Sequence, residues 1–245
     1  MTRLVVPELE PRDPARAEPL LPGEVQLWYA DLDSVPGDEG ILSAAESARA
    51  ERVVDADAQA RFVRSRTLVR RLLGAWLGLP AGEIALESTG EGKPRVVAPP
   101  HAIDFNLSHT GSAWALAASI SFHVGVDLER IRPRRPDHDV ARRIFTSAEC
   151  AWLAELPEAR RTPAFFTIWT IREAVTKLRG EGIFTLSASF EVVAQADGRL
   201  EARVEPPEEL VVDTIPAPVG HVGALAVSAS PRAIRAFRVR PDAEA

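Results

Sequence analysis

The hydrophobic pattern of the chain predicts a mixture of strands and helices. Apolar residues that alternate with polar ones predict strands, and apolar residues that recur every three to four positions predict helices. The predicted strands lie at residues 25–31, 84–88, 103–110, 114–119, 124–129, 187–194, 200–204, 210–214 and 221–228, and the predicted long helices at about 57–77 and 163–178. This order of elements predicts an α+β fold.

The strand at residues 124–129 ends in alternating acidic and apolar residues. Asp127 and Glu129 should face one side of the strand, while Val126 and Leu128 face the other. Two carboxylates roughly 7 Å apart repel each other unless a cation lies between them. Mg²⁺ suits such a place, because it binds a few carboxylate oxygens and keeps water and phosphate oxygens as further ligands. Taken alone, the segment favours the alternative of a half-buried strand with a wet face and no metal.

Two capping boxes mark the starts of short helices, Ser43 to Glu46 and Thr146 to Glu149, and a long helix follows each. The first long helix has a basic side that is either a solvated face or part of an anion site. Its apolar face contains Phe62, Leu68, Leu72, Leu73 and Trp76, and its basic face contains Arg61, Arg64, Arg66, Arg70 and Arg71.

Two segments carry groups that could contact phosphate. A glycine-rich turn at residues 89–94 contains Lys93, and Ser108 and His109 lie at the end of a predicted strand. Glycine-rich loops can present backbone N–H groups and an ammonium to a phosphate. Each segment is equally consistent with an ordinary turn.

The second long helix places Trp169, Glu173 and Lys177 on one face, at successive spacings of four residues. Glu173 and Lys177 could form a surface ion pair with no further role. A cationic stretch, Arg130 to Arg143, is either a solvated loop or a docking patch for a phosphorylated ligand or an acidic partner.

Composition narrows the class of protein. The chain has 245 residues, of which 46% are hydrophobic and 26% charged, as expected for a globular protein. The net charge of −6 argues against general nucleic-acid binding. Cys150 is the sole cysteine, so no intrachain disulfide is expected. The sequence shows no signal-peptide pattern. It has no apolar run of about 20 residues, so no membrane span is predicted. We expect a cytoplasmic protein that does not bind membranes.

The chain also contains a weak internal repeat. The two capping boxes and two Ala-Leu-Ala strands recur at offsets of 103 and 109 residues (146 − 43 and 223 − 114). The repeat predicts two similar α+β halves, related by a pseudo-twofold axis around an interlobe cleft. We expect an N-terminal lobe at 1–121 and a C-terminal lobe at 122–245, with proline-rich residues 1–23 as an extended or loosely attached lead-in.

Four signatures resemble those of the surfactin-synthetase-type 4′-phosphopantetheinyl transferases, the two-lobed and monomeric branch of that superfamily. They are Gly92 to Pro94, Phe105 to Gly111, Gly125 to Glu129, and Phe145 to Glu149 together with Trp169 to Lys177. They occur in the family's order and span roughly residues 25–230. The resemblance implies transfer of the phosphopantetheine arm of coenzyme A to a serine of an apo acyl or peptidyl carrier protein. It also implies a requirement for Mg²⁺, with Mn²⁺ as an alternative, and release of 3′,5′-ADP.

The resemblance also implies roles for individual residues. Asp127, Glu129 and Glu173 would hold the metal, and Glu173 would be a metal ligand, the general base toward the serine, or both. Lys177 would contact the phosphates and assist the leaving group. The residues that would contact the phosphates of coenzyme A are Lys93, Ser108 and His109, with Arg61 and Arg49 around its 3′-phosphate. The Arg130 to Arg143 stretch would receive the acidic carrier protein.

Two residues depart from the family's pattern. Arg172 stands where the family usually has lysine, and Glu46 stands where members can have a basic residue. The alternatives are another Mg²⁺-dependent phosphotransferase or phosphatase, and a non-catalytic module that binds coenzyme A or a carrier protein. The residues leave open the carrier, whether from fatty-acid, polyketide or nonribosomal-peptide synthesis, and the choice between free and acylated coenzyme A. We expect a monomer.

Overall fold

The computed structural model describes residues 4–88, 93–98, 103–132, 138–181, 190–194, 200–204 and 209–241. Within these residues it confirms a mixed α+β architecture. The helices are α1 (Ala44–Glu51), α2 (Ala56–Leu77), α3 (His138–Ile144), α4 (Ser147–Glu155) and α5 (Glu158–Arg179). The strands are β1 (Glu10–Arg12), β2 (Glu24–Asp31), β3 (Ala85–Ser88), β4 (Pro94–Ala98), β5 (Asp104–Thr110), β6 (Ala113–Ser119), β7 (Val124–Arg130), β8 (Phe190–Ala194), β9 (Leu200–Val204), β10 (Val211–Ile215), β11 (His221–Val227) and β12 (Ala233–Val239).

Two sheets form the centre of the molecule. The larger sheet has the strand order β1-β12-β2-β6-β5, the smaller has the order β10-β11-β7, and β3-β4 and β8-β9 form two ribbons. Alternate residues of each sheet enter different apolar clusters. Leu68 and Leu72 of α2 pack on one face of the larger sheet, and Ile168 and Ile171 of α5 pack on one face of the smaller sheet. A third cluster fills the space between the two sheets.

The edge strands β5 and β7 are joined by side chains. Three side chains of β5 accept hydrogen bonds from backbone N–H groups of β7, which satisfies donors that an edge strand would leave unpaired. Val124 donates to Oδ2 of Asp104 (2.7 Å), Val126 to Oδ1 of Asn106 (3.0 Å), and Leu128 to Oγ of Ser108 (3.2 Å). This seam holds the acidic strand beside Ser108.

The capping boxes and long helices repeat in three dimensions. Each repeat consists of a capping box and the long helix that follows it. In both repeats a buried arginine of the long helix bonds the glutamate of the capping box: Arg70 bonds Glu46, and Arg172 bonds Glu149. The glutamates are offset by 103 residues (149 − 46) and the arginines by 102 (172 − 70). The predicted internal repeat therefore includes a buried ion pair as well as the secondary structure.

The N-terminal region is attached more firmly than predicted. Leu4, Ala17 and Leu20 are buried, and β1 pairs in parallel with β12. Of the two alternatives for the lead-in, loose attachment is wrong for residues 4–23, because Leu4, Ala17 and Leu20 are buried in the core and Glu18 bonds both Arg12 and Arg235.

Several element boundaries differ from the prediction. Helix α5 begins at Glu158 rather than at residue 163, and Pro163 lies inside it. The elements α3, β1, β4 and β12 were not predicted.

Residues 187–189 of a predicted strand and residues 89–92 of the glycine-rich turn lie outside the described residues. The boundary between the two lobes at residues 121 and 122 stays a prediction. Strand β12, from the predicted C-terminal lobe, pairs with β2 of the predicted N-terminal lobe. Among the described helices, none combines the length and the apolar character that crossing a membrane requires.

Candidate functional site

Helix α5 lies directly against β7 because Gly125 has no side chain. A Cβ atom at this position would collide with the carbonyl oxygen of Ala174 and meet the backbone of Leu178. The close contact brings the part of α5 that carries Glu173 and Lys177 next to the outer face of β7. Asp127 is on that face, while Val126 and Leu128 enter the cluster between the sheets, as the period-two pattern predicted.

Asp127 is the most buried acidic residue of this site, with 3% of its surface exposed. Its Oδ1 accepts hydrogen bonds from Nζ of Lys177 (2.7 Å) and from Oγ of Ser108 (2.9 Å). Lys177 also donates to Oγ of Ser108 at 3.1 Å. Oδ2 of Asp127 is buried, and no described residue forms a hydrogen bond with it. A buried carboxylate oxygen without a donor lowers the stability of the folded protein, so Oδ2 of Asp127 is a favourable place for a cation or another partner to bind.

Glu173 lies close enough to the acidic strand for its titration to be affected. Burial raises its pKa to about 7, and the negative charges of Asp127 and Glu129 add to the effect, while Lys177 opposes it. Asp127, Glu129 and Glu173 therefore form one group of mutually repelling carboxylates, here called the carboxylate cluster. The ammonium of Lys177 offsets part of its negative charge.

Glu129, the second carboxylate of the acidic strand, lies near Trp169 of α5. Burial, then the charge of Asp127, raises the pKa of Glu129, whereas Lys177 and Arg132 lower it. The nearby indole N–H of Trp169 lowers this pKa further. Trp169 thus lies near the acidic strand, one helical turn before Glu173.

The carboxylate cluster fits a hard divalent cation. No group of three acidic, histidine or cysteine side chains among the described residues stands in a ready metal-binding arrangement, and Lys177 occupies one oxygen of Asp127. Mg²⁺ does not require such a cage, since it binds through one or two carboxylates and completes its shell with water and phosphate oxygens. The buried, unpartnered Oδ2 of Asp127 and the oxygen-only donor set meet this requirement.

A basic group lies beside the carboxylate cluster. Desolvation first, then the charges of Lys177 and Arg66, lower the pKa of His109, so His109 stands between α5 and α2. The guanidinium groups of Arg49 and Arg66 lie 5.4 and 5.3 Å from the ring centre of Phe62. Arg49, Arg66 and His109 are here called the basic group. Sequence reasoning did not single out Arg66, because its proximity to His109 depends on the packing of α2 against β5.

Two predicted phosphate contacts have other partners in this structure. Arg61 donates to both carboxylate oxygens of Asp33, at 2.9 and 2.7 Å. Lys93 donates to Oδ2 of Asp104 (2.9 Å) and to the carbonyl oxygen of Val124 (3.0 Å). Asp104 is four residues before Ser108 on β5, which is about 13 Å along a strand. The structure therefore brings Ser108, His109 and Lys177 to the cluster but leaves Lys93 away from it, and the roles of Arg61 and Lys93 stay predictions.

The two departures from the family's pattern have structural explanations. Arg172 is fully buried, donates to both oxygens of Glu149 (3.2 and 2.7 Å), and donates to the carbonyl oxygen of Phe190 (2.9 Å). Its guanidinium lies in the apolar core between α5 and the smaller sheet, away from the carboxylate cluster. Glu46 is the acidic member of the first capping box and bonds Arg70 at 2.7 Å, so it belongs to the equivalent pair.

Comparisons with known proteins identify related sequences along most of the chain. The model of the 4′-phosphopantetheinyl transferase superfamily matches residues 123–215, and that of the 4′-phosphopantetheinyl transferase N-terminal region matches residues 35–121. The 4′-phosphopantetheinyl transferase HetI of Nostoc sp. is 31% identical over 205 residues, which cover 81% of this chain and 81% of that protein. The chain belongs to the 4′-phosphopantetheinyl transferase superfamily.

Further relatives fall in the same superfamily. The 4′-phosphopantetheinyl transferase Sfp of Bacillus subtilis is 29% identical, over 57% of this chain and 61% of its own length. A holo-(acyl-carrier-protein) synthase from Bacillus anthracis, solved in complex with CoA (3′,5′-ADP), aligns with a TM-score of 0.38 and 19% identity, over 43% of this chain and 95% of its own. Both the predicted superfamily and its surfactin-synthetase-type branch are confirmed, and with them the prediction of a transferase.

Proposed function

We propose that this superfamily member transfers the 4′-phosphopantetheine arm of coenzyme A to a serine of an apo acyl or peptidyl carrier protein, with Mg²⁺ and with release of 3′,5′-ADP. The observation that carries the proposal is the buried Asp127, which is bonded to Lys177 and has one oxygen without a partner among the described residues. Around it, the carboxylate cluster and the basic group offer a cation site next to an anion site. A pyrophosphate requires both, because its charge must be neutralised while it is held in line for attack.

The metal would be held by Asp127 and Glu129, with Glu173 completing the set. Bound there, Mg²⁺ would neutralise charge on the pyrophosphate oxygens. The indole N–H of Trp169 lies near Glu129 and would help to orient its carboxylate. Ser108 donates to Asp127 and accepts from Leu128, so this hydroxyl fixes the carboxylate relative to the strand.

Glu173 and Lys177 are assigned to the transfer step. The attacking hydroxyl oxygen of the carrier serine forms a bond to the phosphorus that carries the pantetheine arm, and the pyrophosphate P–O bond to the leaving phosphate breaks. Glu173 takes the proton of the serine, directly or through water. Lys177 stabilises the negative charge that 3′,5′-ADP gains as it leaves.

The basic group is assigned to the phosphorylated adenosine end of coenzyme A. Arg49 and Arg66 can contact a phosphate while their planes stay against Phe62. His109 has a lowered pKa, so it serves at neutral pH as an uncharged hydrogen-bonding group. Arg61 and Lys93 would need to exchange their carboxylate partners for phosphate in order to contribute.

The carrier protein is proposed to dock on the cationic stretch after β7. Arg130, Arg132, Arg142 and Arg143 are exposed, and the first of them follows Glu129 directly. Residues 133–137 of the stretch lie outside the described residues. Carrier proteins of acidic character would be attracted to these charges, which favours fast association. We further propose that the protein acts as a monomer in the cytoplasm, which sedimentation and cell fractionation can test.

The experiment is the intact mass of purified apo carrier protein after incubation with this protein, coenzyme A and Mg²⁺. A gain of one phosphopantetheine that disappears with EDTA and with Asp127→Asn is the expected result. Apo carriers from fatty-acid, polyketide and nonribosomal-peptide synthesis should be compared. A folded protein that binds coenzyme A but modifies none of the three would favour the binding-module alternative and overturn the proposal.

A further inference from the structure

A cavity of about 420 Å³ opens between the two sheets, away from the carboxylate cluster. It is bounded by the ends of β2 and β12, the turn between β5 and β6, and the proline-containing turn between β10 and β11. Cavities of this size commonly hold small molecules. None of its lining residues belongs to the carboxylate cluster or to the basic group.

The alternation of β11 shows that the cavity and the carboxylate cluster lie on opposite faces of the smaller sheet. His221 lines the cavity and shares its strand face with Leu225, which lies in the cluster between the sheets. Ala224 and Ala226 face the other side and pack with α5. The cavity is therefore a separate site, and a ligand bound in it would not depend on the proposed function.

Tyr29 gives the cavity an unsatisfied polar group. Its side chain lines the cavity, only 7% of the residue is exposed, and its buried hydroxyl has no hydrogen-bond partner among the described residues. Burial raises the pKa of Tyr29, so the phenol stays a neutral donor. A buried hydroxyl without a partner is costly, and Tyr29 borders this cavity, so a small shift of the side chains that cover the hydroxyl would let a ligand accept its hydrogen bond.

A second polar group is the guanidinium of Arg238 at the exposed rim. Within the described part of the chain it forms no hydrogen bond or ion pair. Asp31, which also lines the cavity, already accepts hydrogen bonds from the backbone N–H of Asp33 (3.1 Å) and from Oγ of Ser34 (3.3 Å). Most of the remaining lining consists of alanine, proline and leucine side chains. The site thus combines an apolar interior and one buried donor with two charged groups, the carboxylate of Asp31 and the guanidinium of Arg238.

We propose that this cavity binds a small amphipathic carboxylic acid, whose apolar body fills the space between the sheets. An oxygen of the ligand accepts the hydrogen bond of Tyr29, and the negative charge lies beside Arg238. No covalent step is involved. A ligand in this place contacts both sheets at once, so its binding stabilises the packing between them.

The test uses the purified full-length protein and 4-(trifluoromethyl)benzoate as the probe, followed by fluorine NMR and by thermal denaturation. We expect saturable binding and a rise in melting temperature. Tyr29→Phe removes only the buried hydroxyl, and Arg238→Gln removes only the rim charge, so each should weaken binding about tenfold. The neutral probe 4-(trifluoromethyl)benzamide should be insensitive to Arg238→Gln.

Two control variants test whether the benzoate binds in this cavity rather than elsewhere on the protein. Arg240→Gln removes a neighbouring exposed charge that does not line the cavity, and Asp127→Asn alters the carboxylate cluster on the opposite face. Both should bind the benzoate like the unmodified protein. Absence of saturable binding, or binding that neither Tyr29→Phe nor Arg238→Gln weakens, would overturn the proposal and assign the Tyr29 hydroxyl to water alone.

Discussion

Nζ of Lys177 lies 2.7 Å from Oδ1 of Asp127, so the helix supplies the counter-ion of the most buried carboxylate of the site. The same ammonium reaches Ser108 on the neighbouring strand. Lys177 therefore links β5, β7 and α5 at one point. Without a metal, this lysine is the cation that makes it tolerable to bury Asp127.

Replacement of Lys177 by methionine should make the protein depend on a metal for stability. The variant leaves Asp127 buried and unpaired, which should cost about 1–3 kcal/mol of unfolding free energy. Mg²⁺ should restore more stability to the variant than it adds to the unmodified protein, because it replaces the lost positive charge. Thermal denaturation with and without Mg²⁺ measures both effects.

Lys93→Met is the matched control for this experiment. Lys93 is also a largely buried lysine paired with an aspartate, Asp104, but it lies away from the carboxylate cluster. It should lose stability without gaining an enhanced response to Mg²⁺. Equal responses in the two variants would contradict a metal site at Asp127.

The raised pKa of Glu173 predicts how stability changes with pH in the metal-free protein. The folded-state pKa is about 7 and the ordinary value is 4.5. Because the protonated form is favoured in the folded state, the contribution is fully present below about pH 4.5 and is lost as pH rises through 7. The glutamine of Glu173→Gln stays neutral at every pH. The variant should therefore lose about 1–3 kcal/mol less unfolding free energy than the unmodified protein as pH rises. Chemical denaturation from pH 4.5 to 8 in EDTA measures the difference, and parallel curves for the two proteins would refute it.

Arg172 should prove structural rather than catalytic. Arg172→Lys cannot reproduce two bonds to Glu149 and one to Phe190, so we expect a loss of about 2–4 kcal/mol in unfolding free energy. Arg70→Lys, in the equivalent pair with Glu46, should lose a similar amount. Transfer per folded molecule should stay within a few-fold of normal in both. A large fall in kcat with normal stability, confined to Arg172→Lys, would instead assign this residue to the chemistry.

Gly125→Ala tests the close packing of α5 on β7. The added methyl group collides with the backbone of Ala174, so α5 must move away and Glu173 must move with it. We expect a loss of several kcal/mol in stability, about 3 or more, and a weaker thermal shift with Mg²⁺. Gly82→Ala is the control, since its nearest neighbours lie at 3.8 Å. Equal behaviour of the two variants would show that the contact does not position the site.

Local patterns predicted the parts of the site that depend on local geometry. Period two placed Asp127 and Glu129 on one face of a strand, and the helical period placed Trp169, Glu173 and Lys177 together. Both capping boxes formed as the sequence indicated. These features are determined by residues within a few positions of one another.

Contacts between distant segments could not be predicted in the same way. Nothing in the sequence separates the arginines on the basic face of α2 from one another. In the structure Arg70 is buried against Glu46, Arg66 lies 4.0 Å from the same carboxylate, and the charge of Arg66 lowers the pKa of His109. Lys93 pairs with Asp104 because the β5–β7 seam places that carboxylate beside Val124. Such partners depend on how whole elements pack, and a single sequence does not display that packing.

The position of β12 has a consequence for how the chain folds. This strand is the last of the described strands in sequence, but it lies between β1 and β2, the first two. The larger sheet therefore cannot close until residues 233–239 have left the ribosome, and until then β2 presents an open edge. Although the capping-box units repeat, the larger sheet forms only when segments that are distant in the described sequence come together, rather than one repeat at a time.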